Sequence, residues 1–431
     1  MDAHYLGIDI GTSGCRACLI DRAGQVLAEV AAPLPPPRCI DGGSEQDPAI
    51  WWTALTGVLD RLAAQQSLDR VTGIAVDGTS ATLLCCSATG DPLGPALMYH
   101  DARAIDQARE IARFAPPDSA AHGPSSSLAK LLWLHAGGHT RGARYALHQA
   151  DWLAGRLSGR YGVSDENNAL KLGYDAVSRC WPDWLDRLNI PRALLPEVVP
   201  AGHPIGELSP AWCIRWGFSA ATRIVSGTTD STAGFIATGA GPCEAVTSLG
   251  STLVLKVCAE RPVYAPRHGV YSHRLGDHWL VGGASNSGGA VLRQFFTDAA
   301  IQRLTAHMVP GKPTGLDYYP LSAPGERFPE YNPQLAPRLD PRPADDAVFF
   351  QGMLEGMAAI ERHGYRLLES LGAPYPRRVH SVGGGAANAA WRQIRERLLG
   401  IPVLVAGHQS AAYGAALLAR RGVEEIGNVS P

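Results

Sequence analysis

No run of apolar residues in this chain approaches the ~18 needed to cross a bilayer. No basic segment followed by an apolar core opens it either, so neither an anchor nor a leader is read and a cytoplasmic location is expected. An excess of charge is missing too: 38 Lys plus Arg stand against 40 Asp plus Glu, a formal net charge of -2. Such a chain has no global field to draw nucleic acid or an anionic membrane, and any phosphate must be held locally. Charged residues make up only 18% against 45% hydrophobic, which excludes a largely disordered chain and suits a packed interior. The nine cysteines are scattered, several in apolar runs such as ATLLCCS around Cys85 and Cys86, as expected of reduced, buried thiols. Cys15 and Cys18 form a lone C-x-x-C on a strand pattern. Positions three apart on a strand face opposite sides, so the pair is read as packing and not as a metal or redox site.

What is present is a chain of 431 residues, longer than one core sustains, so two domains are expected, 1–240 and 241–431. YLGIDI, CRACLID and QVLAEV read as an antiparallel meander with glycines at the first bend. Asp47 and Pro48 open a helix as N-cap and first-turn residue, carrying Trp51, Leu55, Val58, Leu59 and Leu62 inward. VTGIAVDGTS reads as a buried strand with ATLLCCS as its hairpin partner, and helices dominate from about Ile105 to Leu157. RIVSG then runs through Thr228, Thr229 and Asp230 into a small-residue helix. The strand pair CEAVTSLG and STLVLKVCA echoes the opening hairpin, a short internal repeat. A proline-rich loop covers Tyr318 to Asp346. It leads to a helix with Phe350, Met353, Leu354, Met357, Ile360, Leu367, Leu368 and Leu371 on one stripe, ending at Gly372. RRVHSV meets Gly383-Gly384-Gly385, a helix follows to Leu399 with Gly400 as its stop, and IPVLVA and the Ala-rich AAYGAALLARR close the chain. Strands alternating with helices make this an α/β protein.

Four segments could carry chemistry. GIDIGTSG puts Asp9 at a strand end before Gly11, Thr12 and Ser13, a turn of small residues whose backbone N–H groups can cradle phosphate. A carboxylate beside phosphate calls for a cation between them, which suggests Mg²⁺ at Asp9; the bland reading is a plain hairpin. VSGTTDSTAG delivers Asp230 to a helix start, either as a cap or as a general base for an alcohol. LGST, with Gly250, Ser251 and Thr252, is a tight bend of hydroxyl residues. VGGGAAN sets Gly383, Gly384 and Gly385 between a strand and a helix start, with Asn388 one turn in. Flat glycine backbone there admits a planar base or ribose, or simply turns the chain.

Together and in this order, GIDIGTSG, GTTDSTAGFIATGA, TSLGST and VGGGAANAAWRQ resemble the motifs of the FGGY carbohydrate kinases, within the actin-like ATPase superfamily. EQDP with Trp51, HDARA and GERFP are further landmarks, so the likeness covers nearly the whole chain. It implies two actin-like, ribonuclease H-like domains with an ATP cleft between them, and ATP and Mg²⁺ as cofactors. On that likeness Asp230 is the catalytic base, and Asp9 holds the metal and touches the sugar. Gly11, Thr12, Ser13, Gly250, Ser251 and Thr252 meet phosphate, and Gly383, Gly384, Gly385 and Asn388 lie beside adenosine. Where D-xylulose kinases resemble one another in a Gly-Gln-Met-His-Gly run, this chain has DGTSATLLCC. In SSLAKLLW, NALKLGY, GLDYYPL and GERFP it is similar to the compact cyanobacterial and plant xylulose-kinase-like proteins associated with D-ribulose. That likeness adds Ser80 to Asp9, Thr12 and Asp230 as sugar contacts. Lys130, in SSLAKLLW, is read as a solvated helix lysine, and Gln409 stands where the family carries a late glutamate. The expected activity is therefore phosphorylation of a ketopentose, D-ribulose ahead of D-xylulose, by a monomer or homodimer that binds neither nucleic acid nor membrane. An actin-like ATPase without sugar transfer is the alternative of another class.

Overall fold

The computed structural model describes residues 3–427, which divide into two compact units. The first is the chain up to Ala237 together with the segment from Ser410 onward; the second is Thr238–Gln409. Among the described residues no helix is long and apolar enough to cross a membrane.

The first unit is built on β1 (His4–Ile10), β2 (Gly14–Asp21), β3 (Val26–Pro33), β4 (Val71–Gly78), β5 (Pro204–Glu207) and β6 (Arg223–Thr229), joined in the order β5-β6-β4-β1-β2-β3. The expected meander β1-β2-β3 is antiparallel, whereas β4 and β6 run parallel to β1. Strands buried on both faces need apolar residues on both, and β1 is buried along nearly its whole length. Its Leu6, Ile8 and Ile10 meet one helical layer and Tyr5 the other. The first layer contains α1 (Pro48–Gln65), whose start is fixed as expected: the Asp47 carboxylate accepts from the Ala49 N–H at 2.9 Å, and Pro48 occupies the first turn. Two more helices of this unit matter below, α2 (Ser127–Ala136) and α3 (Gln149–Ser158). Cys15 and Cys18 lie in different apolar layers, both buried, as strand alternation requires.

The opposite layer holds α4 (Asp230–Ala237) and the last helix of the chain. The second unit repeats the first unit's plan with β7 (Ala245–Leu249), β8 (Leu253–Ala259), β9 (Tyr271–Leu275), β10 (His278–Ser285), β11 (Val379–Val382) and β12 (Val403–Val405), in the order β9-β10-β8-β7-β11-β12. Again three antiparallel strands are followed by two parallel ones on the other side of the first. The echo seen in two hairpins is thus a repeated sheet. Its helices are α5 (Gly289–Phe295), α6 (Asp298–His307), α7 (Asp346–Ser370) and α8 (Ala389–Leu399), and α9 (Ala411–Gly427) follows in the first unit. α7 buries the expected Phe350, Met353, Leu354, Met357, Ile360 and Leu368, with Leu367 and Leu371 packed at its edge. α8 stops at Gly400 in the left-handed conformation, φ 72°.

Three expectations are corrected. Residues 241–431 do not form one domain, because α9 packs on β1, β2 and β4. The approach is close enough that a Cβ on Gly7 would lie 1.9 Å from the Ala412 carbonyl oxygen. ATLLCCS does not pair with β4: Leu83–Cys86 joins a separate five-stranded sheet, between Ala96–Leu97 and Tyr145–His148. Ala81, at φ 70°, turns the chain away there. Lys130 is not solvated but wholly buried.

Candidate active site

In a parallel sheet the strands deliver their C-terminal ends to one edge. Here β1, β4 and β6 are neighbours, with Asp9 opposite Asp77 and Asp77 opposite Thr228. The edge therefore gathers Asp9, Asp77 and, one residue beyond β6, Asp230. Asp9 is 5% exposed and is held by the half-exposed guanidinium of Arg16, opposite it on β2, at 2.9 Å. Asp77 is fully buried, and no N–H or hydroxyl among the described residues donates to either of its carboxyl oxygens; its neighbour is the Asp9 carboxylate. Burial pushes its carboxyl well above the usual range, and the charges of Asp9 and Asp230 push it further. Asp77 was not among the residues picked out from the sequence, although VDGTS repeats the pattern of GIDIGTS: a strand-end aspartate before a small hydroxyl turn.

Gly11, Thr12 and Ser13 form the turn leaving Asp9, closed by the Gly11 N–H on the Gly14 carbonyl at 3.0 Å. Asp230 begins α4 and accepts from the Ser231 N–H at 2.6 Å. Beside it the Thr229 hydroxyl lies 3.0 Å from that of Thr232, and the Asn167 amide donates to the Thr228 hydroxyl at 3.0 Å. Ser80 follows β4, its hydroxyl buried with no partner among the described residues. The edge thus combines a paired carboxylate, a fully buried carboxyl and a third carboxylate at a helix start. This donor set suits a hard divalent cation: Asp9 supplies anionic oxygen, a cation bound there would favour the ionised form of Asp77, and water and phosphate oxygens complete such a shell. No cluster of three or more His, Cys, Asp and Glu suited to a metal occurs among the described residues; the neighbouring carboxyls that would hold one are Asp9 and Asp77.

The other predicted residues lie in the second unit, where a cavity of about 740 Å³ is walled by Gly250, Ser251, Gly384, Gly385, Asn388 and Trp391. Thr252 and Gly383 flank those residues in the chain. Gly289 and Ala290 brace the LGST bend, donating to the Gly250 and Ser251 carbonyls at 2.9 and 3.1 Å. Gly385 cannot carry a side chain, since a Cβ would lie 2.6 Å from the Trp391 ring and 2.8 Å from Leu249. Gly383 adopts φ 83°, and its N–H donates to Gln409 at 3.0 Å. Gly384 and Gly385 open a short 3-10 turn, Gly384–Ala387, that stands before α8. Asn388 therefore caps α8 instead of lying a turn inside it, accepting from the Trp391 N–H at 2.9 Å and donating to Thr305 at 3.2 Å.

The elements around this cavity are locked from behind. Glu361 of α7 and Arg395 of α8, each 1% exposed, form a double hydrogen-bonded ion pair at 2.6 and 2.7 Å. Arg395 also donates to Ser381 of β11 at 2.6 Å, and Thr247 of β7 donates to Glu361 at 2.5 Å. Burial alone would lower the Arg395 guanidinium, but the Glu361 carboxylate outweighs it and holds the group above its ordinary value. Glu326 of GERFP is the anchor of its loop, accepting from Ser285, Tyr319 and the Asn286 N–H.

The structure thus presents two repeated α/β sheets, one ending in a carboxylate edge and the other beside a glycine-walled cavity. The chain belongs to the FGGY family of carbohydrate kinases: the family's N-terminal domain matches residues 4–237 and its C-terminal domain residues 245–423. It is a sugar phosphotransferase, and kinases of this family use ATP. It is 27% identical to the xylulose kinase of Escherichia coli (strain K12), over 96% of this chain and 89% of that one. It is 25% identical to the gluconokinase of Bacillus subtilis (strain 168), over 97% and 87%. Among solved structures, a xyloylose kinase from Brucella ovis superposes with a TM-score of 0.88 at 25% identity, over 98% of this chain and 91% of that one.

Proposed function

We propose that the enzyme transfers the terminal phosphoryl group of ATP to a hydroxyl of a ketopentose, with D-ribulose as the preferred acceptor. The observation that carries this reading is the meeting of Asp9, Asp77 and Asp230 on one sheet edge. Asp230, less buried than the other two, is the base: its carboxylate accepts the proton of the attacking hydroxyl, a contribution of roughly 10²- to 10⁴-fold. Asp9 and Asp77 would hold Mg²⁺, which would supply neutralisation of phosphate charge. Gly11, Thr12 and Ser13 offer backbone and hydroxyl donors to phosphate oxygens, and Asp9, Thr12 and Ser80 orient the sugar. Gly250, Ser251 and Thr252 meet phosphate in the second unit, with Gly383, Gly384, Gly385 and Asn388 beside the adenosine.

The acceptor choice rests on the turn after β4. DGTSATLLCC stands there in place of Gly-Gln-Met-His-Gly, and the unpartnered Ser80 hydroxyl suits a different hydroxyl pattern. D-xylulose is the second reading, favoured by what the E. coli relative is named for. The test is ADP release across ketopentoses, ketohexoses and polyols, on wild type and Asp230→Ala. Turnover is expected to be fastest with D-ribulose and lost in the variant with the fold intact. Equal release with and without every sugar would overturn the reading in favour of an ATPase, and fastest release with D-xylulose would overturn the acceptor.

A further inference from the structure

Lys130 is the one wholly buried lysine among the described residues, and nothing in the reaction outlined above uses it. It projects from α2, and its ammonium donates to the Ala81 carbonyl at 2.8 Å, to Met98 at 2.7 Å and to Tyr99 at 3.4 Å. Burying a cation is costly unless its donors are met, and here all three go to main-chain carbonyls of two separate loops. One of those loops is the turn after β4. Its near end is fixed by Gln149 at the start of α3, whose side-chain oxygen accepts from the Thr79 N–H at 3.1 Å and the Thr79 hydroxyl at 2.9 Å. Its far end is Ala81, a residue with a side chain at φ 70°, a conformation costing on the order of 1 kcal/mol or more. Between the two ends sits Ser80, hydroxyl unpartnered. The second loop, with Met98 and Tyr99, leads into HDARA, where Asp101 accepts from the Ser44 N–H at 2.7 Å and pairs with Arg103 at 2.8 Å.

We propose that Lys130 is a positioning residue for the acceptor sugar: its ammonium ties the Ala81 carbonyl to those of Met98 and Tyr99, and so fixes the turn that aims Ser80. The clamp gives a reason for the left-handed Ala81, whose carbonyl it holds, and for a wholly buried lysine on a largely apolar helix. The inference rests on the reading of Ser80 as a sugar contact.

Lys130→Met keeps the length of the side chain and removes the donors. The KM for the best ketopentose is expected to rise by about tenfold, the loss of roughly one hydrogen bond. The KM for ATP should stay within roughly twofold. If Lys130 acts through Ser80, the double variant with Ser80→Ala should be no worse than the worse single one. An unchanged sugar KM, a parallel rise in the ATP KM, or additive losses would overturn the proposal. If Lys130→Met does not fold, Lys130→Gln, which keeps two donors, carries the same comparison with a smaller expected rise. Absence of sugar-dependent ADP release in the wild type would overturn the acceptor reading itself, an outcome distinct from an active Lys130→Met with normal sugar KM.

Discussion

Replacing Glu361 by Gln tests how the second unit holds its cavity. The substitution keeps the shape of the side chain but removes the charge facing Arg395, both groups being 1% exposed. The guanidinium is left buried against a neutral amide, whose NH₂ group cannot accept one of the two bonds at 2.6 and 2.7 Å. Breaking a buried ion pair on one side costs about 3–5 kcal/mol. In a body of about 150–250 residues each kcal/mol moves the midpoint by about 2–4 °C, so a fall of about 6–20 °C is expected. Because Thr247, Ser381 and Arg395 belong to the elements that carry Gly250, Gly383 and Asn388, nucleotide affinity should fall as well. Calorimetry with urea titration measures the first effect, and isothermal titration with ADP the second. The double variant Glu361→Leu, Arg395→Met, which leaves no unpaired charge, should recover most of the lost stability. A loss below about 1 kcal/mol for Glu361→Gln, or a double variant worse than the single, would refute the reasoning.

Gly414→Val should be far more damaging than an ordinary helix substitution. Even a Cβ at this position would lie 1.8 Å from the Ala233 carbonyl oxygen, so urea unfolding should show a loss of about 3 kcal/mol or more. Gly234→Ala, with nothing within 4 Å of its added carbon, should instead gain about 0.5–1 kcal/mol from helix propensity. Lys130 also sets a pH dependence. Burial lowers its ammonium from 10.5 to about 7, with Asp101 opposing and Lys171 adding to the shift. Between those values the folded state binds fewer protons than the unfolded one, so this contribution to stability grows as pH rises from about 7 to 10.5 and is lost as pH falls through 7. Wild type should therefore gain stability over Lys130→Met across that window, measured by urea unfolding at stepped pH; a flat difference would refute the assignment.

The elements with strong periodicity were legible in the residues alone: the opening meander, α1 with its Asp47 cap, and the stripe of α7. So were the four glycine and hydroxyl motifs, because their turns are marked by small residues. The partner of Leu83–Cys86 was not, since the bend that redirects it is made at Ala81, where no glycine announces a left-handed residue. The return of α9 to the first sheet was hidden for another reason. It depends on contact between Gly7 and Ala412, residues at opposite ends of the chain. Asp77 did carry a signal, the same one that marked Asp9. The burial of Lys130 was also marked, by the largely apolar helix that carries it, but the carbonyls that receive its charge come from loops whose course only the fold determines.

The return of α9 has a consequence for biosynthesis. A ribosome releases β1 through β6 long before it makes the helix that covers one face of their sheet, and the whole second unit is synthesised in between. The nascent first unit must wait with Tyr5, Ala75 and Val225 uncovered until α9 is made, and the interval is one in which a chaperone or an aggregation partner could claim that exposed face.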